Sequence, residues 1–139
     1  MKPVCLVLGA GRGIGGTVAA HFAKEGYHAV LCRRSDEAGL QALVSGIIDN
    51  GGEATGYLMN AVDDEVIEQR VAAIEADIGP IDTVVYNLGA QIGSRRLEET
   101  SYKAFEMGWR MATFGLFRVA QAVAPRMRAR GRGNLLVTS

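Results

Sequence analysis

Cysteine, proline and aromatic residues are all scarce in this 139-residue chain, which holds two Cys, three Pro and 6% Phe, Trp and Tyr together. Cys5 and Cys32 each sit in a short apolar run and match neither a disulfide framework nor a Cys/His metal spacing. The expected setting is therefore reducing and cytoplasmic, with no metal site. Net charge is also lacking: 15 Lys and Arg balance 15 Asp and Glu, so no overall field gathers phosphate backbones or anionic lipids. Neither nucleic acid nor a membrane is an expected partner. No apolar stretch approaches the roughly 18 residues of a membrane span, and the run after Met1-Lys2-Pro3 is too short for the core of a signal peptide. With 48% hydrophobic and 22% charged residues the chain can bury a core, which excludes disorder. Its length suits one soluble domain, residues 1–139, with no room for separate cofactor and substrate domains.

Glycine, in contrast, is abundant. There are 18, and five of them fall between Gly9 and Gly16. Just before that cluster, Val4 to Leu8 is a continuous apolar run halted by glycine, the pattern of a strand covered on both faces. After it Ile14, Val18 and Phe22 recur every four residues up to Gly26, which predicts a helix. Tyr27 to Cys32 reads as a second buried strand. Ser35 is then placed to cap a helix whose Leu40, Leu43, Val44, Ile47 and Ile48 form one stripe. Ala54 to Met59 is the third strand, followed by a helix opened by Asp63, Asp64 and Glu65 and turning Ile67, Val71, Ile74 and Ile78 inward. Ile81 to Tyr86 is the fourth. A loop leads to a long helix bearing Phe105, Trp109, Ala112, Leu116, Val119 and Val123, with Pro125 disturbing its last turns. Asn134 to Thr138 is the fifth strand.

Five strands alternating with four helices predict an α/β fold of the Rossmann type, a doubly wound parallel sheet with helices on both faces. Ligands of such sheets bind outside the carboxyl ends of the strands, where strand order reverses. The glycine cluster is at such an end. Its letters fit two registers, Gly11, Gly13, Gly16 as G-x-G-x-x-G or Gly9, Gly13, Gly15 as G-x-x-x-G-x-G, and the second begins where the strand stops. Glycine there lets the backbone approach a pyrophosphate, which free N–H groups and the positive end of a helix stabilise. The plainer alternative is a structural turn. Arg33 and Arg34 close the second strand, about where an acidic residue would hold a ribose 2′-hydroxyl. A basic pair there, with Arg12 in the loop, suits a 2′-phosphate instead and favours NADP over NAD, unless these arginines are merely solvated.

Gly9-Ala10-Gly11-Arg12-Gly13-Ile14-Gly15 resembles the glycine motif of the short-chain dehydrogenase/reductase family, with Leu8 where that family usually has threonine. Tyr86-Asn87-Leu88-Gly89-Ala90 is similar to its Asn-Asn-Ala-Gly segment, and the resemblance covers the whole chain. It implies that Asn87 steadies the central strands, that Asn87, Gly89 and Ala90 border the adenosine, and that Asn60, at the place of a family aspartate, meets the adenine. It implies hydride transfer between a nicotinamide and a small carbonyl or alcohol substrate in a homo-oligomer. Ser139 stands at the position of the family's catalytic serine, while Ala112 replaces an asparagine that supports the proton relay.

The family's Tyr-x-x-x-Lys is not found: Tyr27, Tyr57, Tyr86 and Tyr102 are followed at i+4 by Leu31, Ala61, Ala90 and Glu106. By the resemblance the chain matches the cofactor-binding half and is truncated after the fifth strand. The alternative function is a dinucleotide-binding or assembly module without turnover. Among the weaker signals, Arg126, Arg128, Arg130 and Arg132 read as a solvated helix terminus. His21 and His28 read as packing or surface residues, and Arg95 and Arg96 as loop cations that could face an acidic substrate.

Overall fold

The computed structural model describes residues 1–89 and 95–139. Five strands, β1 (Val4–Leu8), β2 (His28–Arg33), β3 (Glu53–Leu58), β4 (Ile81–Tyr86) and β5 (Asn134–Val137), form one sheet in the order β3-β2-β1-β4-β5. Every pairing is parallel. The strands alternate with α1 (Ile14–Lys24), α2 (Glu37–Asp49), α3 (Val66–Asp77) and a long rod. That rod, the expected fourth helix, consists of α4 (Tyr102–Trp109), a π-helical segment (Arg110–Phe114) and α5 (Gly115–Arg130).

A parallel sheet buried on both faces needs strands that are apolar throughout, and β1 and β4 are buried at every position. Alternation then divides their side chains between two cores. Leu6, Leu8, Val30, Cys32, Val84 and Tyr86 pack against Ile67, Val71 and Ile74 of α3 and Val119 and Val123 of α5. Cys5, Val7, Ala29, Leu31 and Val85 pack against Ala19 and Ala23 of α1 and Leu40, Val44 and Ile47 of α2. Both cysteines are free and buried, on opposite faces, and burial pushes each thiol up to about 12. Among the described residues no helix is long and apolar enough to cross a membrane.

Several local expectations are corrected. Asp36 rather than Ser35 caps α2, its carboxylate accepting from the Gly39 N–H at 3.0 Å. Asp63 and Asp64 precede α3 instead of forming its first turn, where the acid is Glu68. Pro125 does not disturb the end of α5, which runs on to Arg130 and stops at Gly131 in the left-handed conformation, φ 72°. Pro125 and the residues beside it are exposed, so water can take the carbonyl that proline leaves without a donor. Phe105 and Trp109 lie on the surface rather than inward, at 67% and 48% exposure, because no described element covers α4.

The basic run at the end of α5 is only partly solvated. Arg130 makes a two-pronged ion pair with Glu75, at 3.0 and 2.9 Å, and donates to the Ile81 carbonyl. Arg132 meets the buried Asp82 at 2.5 Å, and Tyr27 donates to the same carboxylate. These pairs stitch α5 and α3 to the start of β4. Arg118, nearly buried, ties α5 to α3 and to the segment after β3: it grips Glu68 with two bonds, 3.1 and 2.8 Å, and the Ala61 carbonyl with a third.

Candidate functional site

Strand order reverses between β1 and β4, so their carboxyl ends open a crevice. Gly9 makes the turn out of β1. It has φ +87°, a conformation that a side chain resists, and its N–H and that of Ala10 both donate to the Cys32 carbonyl at 3.0 Å. A Cβ at Gly9 would run into the Asn87 carbonyl, and one at Gly15 into the Gly9 carbonyl, with Ala10 Cα at 2.9 Å. Gly16 has the same constraint against the Gly11 carbonyl. Gly11 and Gly13 differ: a Cβ there would meet nothing within 4 Å. Gly13 is the N-cap of α1 and supplies no side-chain acceptor, and the first turn carries no acid. Of the first N–H groups of α1, that of Gly16 donates to the Gly11 carbonyl at 2.8 Å, while those of Ile14 and Gly15 have no acceptor among the described residues and keep their donor capacity and partial positive charge.

Asn87 ties three strands together above the crevice. Its N–H donates to the Leu8 carbonyl at 2.9 Å, its amide nitrogen donates to the Gly9 carbonyl at 3.0 Å, and its amide oxygen accepts from the Thr138 hydroxyl at 2.6 Å. Thr138 was missed in the sequence. Its place follows from the β4–β5 register, which the sequence does not give: Val137 lies beside Tyr86, and so the next residue lies beside Asn87.

Two hollows flank this hub. On one side Gly9, Cys32, Arg33, Arg34, Asn60 and Leu88 line a small cleft together with Met111. On the other, Ile14, Asn87, Gly89, Thr138 and Ser139 border a cavity of about 400 Å³. The structure thus gathers the predicted residues along one edge of the sheet. Arg12 is exposed on the loop, and Ala90 lies outside the described residues. A groove of about 450 Å³ between α1 and α2, along Ala20, Leu43, Gly46 and Ile47, contains none of Arg33, Asn60 or Asn87. Its ionisable lining is limited to Lys24, so the crevice is the better place for chemistry.

Arg33 is mostly buried, and its Nη1 atom is shielded from solvent yet makes no hydrogen bond. Asp36 Oδ2 lies 3.6 Å from it, close enough for ion pairing and too far for a hydrogen bond. Arg34 projects from the end of β2 and is exposed. Asn60 already uses its amide oxygen to accept from the Val62 N–H at 3.2 Å, which fixes the side chain and leaves one lone pair and the NH₂ group. Cys32, at the cleft wall, is held neutral by burial and is no nucleophile. Arg95 and Arg96 are exposed outside both hollows. Among the described residues no group of three or more His, Cys, Asp or Glu could hold a metal ion. His28 instead bonds Thr55 at 2.8 Å.

Residues 3–139 match the family profile described as short chain dehydrogenase. Gluconate 5-dehydrogenase of Gluconobacter oxydans is 40% identical over 133 residues, which is 94% of this chain and 50% of that relative. A gluconate 5-dehydrogenase from Burkholderia cenocepacia, solved in complex with NADP and tartrate, superposes with a TM-score of 0.84 at 31% identity, over 99% of this chain and 53% of its own. A variant of actinorhodin polyketide ketoreductase solved with NADPH superposes at 0.88 and 32% identity, over 98% and 52%. The chain spans about half the length of each of these relatives.

Proposed function

The chain belongs to the short-chain dehydrogenase family, and from that premise we propose that it forms the NADP-binding part of an oxidoreductase acting on a small carbonyl or alcohol. The observation that carries this reading is Arg33, which lines a cleft that begins at the glycine loop and whose Nη1 is a cationic donor without a hydrogen bond. The open space at Gly11 and Gly13 gives the same fit, since a phosphate must approach backbone N–H groups closely. Bound there, such a dinucleotide supplies or accepts hydride at nicotinamide C4.

The chain's own residues bind and orient. Gly9, Gly11, Gly13, Ile14 and Gly15 present the pyrophosphate cradle. Arg12, Arg33 and Arg34 hold a 2′-phosphate, Asn60 meets the adenine, and Asn87 and Gly89 with Ala90 form the adenosine wall. Ser139, beside Asn87 and Gly89 in the second cavity, offers its hydroxyl to a substrate carbonyl. The Tyr-x-x-x-Lys pattern does not occur within these 139 residues. Tyr86 is engaged by the Met111 carbonyl and Tyr27 by Asp82, and both hydroxyls are harder to ionise than usual, Tyr86 through burial and Tyr27 through its bond to the carboxylate. That observation favours the second reading, a binding module without turnover, for the 139 residues taken alone.

Titration of the chain with NADPH and NADH tests the cofactor. Losing charge-assisted bonds to a phosphate, Arg33→Asp weakens NADPH binding by about tenfold or more and strengthens NADH. An unchanged preference rejects the assignment. Oxidation of an alcohol by NADP with the pure chain rejects the module reading.

A further inference from the structure

Arg33, which lines the cleft, also stands beside an opposing charge. Asp36 caps α2 through Oδ1, which accepts from the Gly39 N–H at 3.0 Å, and this leaves Oδ2 turned toward Arg33 Nη1 at 3.6 Å. Asp36 adopts a left-handed backbone, φ 65°, and a Cβ on Gly39 would strike its carboxylate and lie 3.0 Å from Arg33 Nη1. The carboxylate is thus fixed by a helix cap and given room by a glycine. It cannot swing away without uncapping α2.

We infer that Asp36 is a specificity-determining residue that opposes the 2′-phosphate at this site and narrows the preference for NADP over NAD. This rests on the reading of the cleft as a dinucleotide site. A 2′-phosphate reaching Arg33 must share the guanidinium with Asp36 and approaches a like charge. A ribose 2′-hydroxyl meets no such repulsion and can donate to a carboxylate oxygen. Arg33 is therefore the attractive element of this subsite and Asp36 the repulsive one, and discrimination depends on the difference between them.

The test is Asp36→Asn, which keeps a capping oxygen and tolerates the left-handed backbone while removing the charge. Tryptophan or nicotinamide fluorescence titration of the 139-residue chain gives dissociation constants for NADPH and NADH. The variant is expected to bind NADPH roughly threefold to fivefold more tightly, the range set by a partly exposed ion pair, and NADH no more tightly than before. The gain should shrink at high salt and fall below about twofold in an Arg33→Ala background, where the coupled partner is gone. Equal shifts for both dinucleotides, or none, overturn the role of Asp36 and leave the dinucleotide site standing. Failure of the parent chain to bind either one overturns the site itself, and with it this inference.

Discussion

A single methyl group separates two kinds of glycine in the loop after β1. Gly15 is packed against backbone, with Ala10 Cα 2.9 Å from any added Cβ, whereas Gly11 faces open space. Gly15→Ala is therefore expected to destabilise the fold by about 1–3 kcal/mol, an overpacking cost, and to lower the melting temperature by several degrees. Gly11→Ala should leave melting unchanged and weaken NADPH binding. Thermal denaturation and titration of the two variants check this, and equal losses of stability would refute the distinction. The glycines themselves were legible in the sequence because they cluster between a strand and a helix. Which of them are packed was not, since Gly9 is constrained by Asn87, 78 residues away. Long separation in sequence also hid the pairing of Arg130 and Arg132, whose partners Glu75 and Asp82 lie on other elements.

At the scale of elements, the strands and the buried stripe of α3 followed from periodicity, but the faces of α1 and α4 and the π-helical segment did not: Ile14, Phe105 and Trp109 are exposed, and α1 buries Ala19 and Ala23 instead. Such a segment interrupts the regular bonding of a helix and leaves a carbonyl needing a donor. Tyr86, at the end of β4, donates its hydroxyl to the Met111 carbonyl, and Gly115 leaves room for that hydroxyl because any Cβ would collide with it. The sequence alone shows only a tyrosine ending a buried strand. Burial pushes Tyr86 up to about 12, from an ordinary value of 10. Its raised folded-state pKa means that the contribution of the neutral phenol is complete below pH 10 and is lost as pH rises from 10 toward 12. Tyr86→Phe should cost about 1 kcal/mol at pH 7, where it orphans the Met111 carbonyl, and should lose less stability than the parent between pH 10 and 12. Denaturant melts across that range measure both limbs. A parallel pH dependence for the two proteins would show that Tyr86 does not ionise on unfolding.

For the whole molecule, the two cores cover the sheet unevenly, and the uncovered part predicts its behaviour in solution. Tyr102, Phe105 and Trp109 recur at i, i+3 and i+7 on α4, one face of that helix, and are 97%, 67% and 48% exposed. Phe117 adds 60% exposure on α5, and Leu136 and Val137 are about half exposed on β5, which pairs only with β4 among the described strands. An aromatic face and an unpaired parallel edge each offer a surface for a second copy. The 139-residue chain is therefore expected to self-associate at tens of micromolar, scattering light as a species heavier than 14.8 kDa. Two variants separate the causes. Phe105→Glu with Phe117→Lys should restore the monomer if the helical face drives association, while Leu136→Lys should do so if the strand edge does. Neither lies in the crevice, so NADPH affinity should stay unchanged in both. A monodisperse monomer of the parent chain would mean that neither surface is adhesive, and that the apolar face of α4 is tolerated in water.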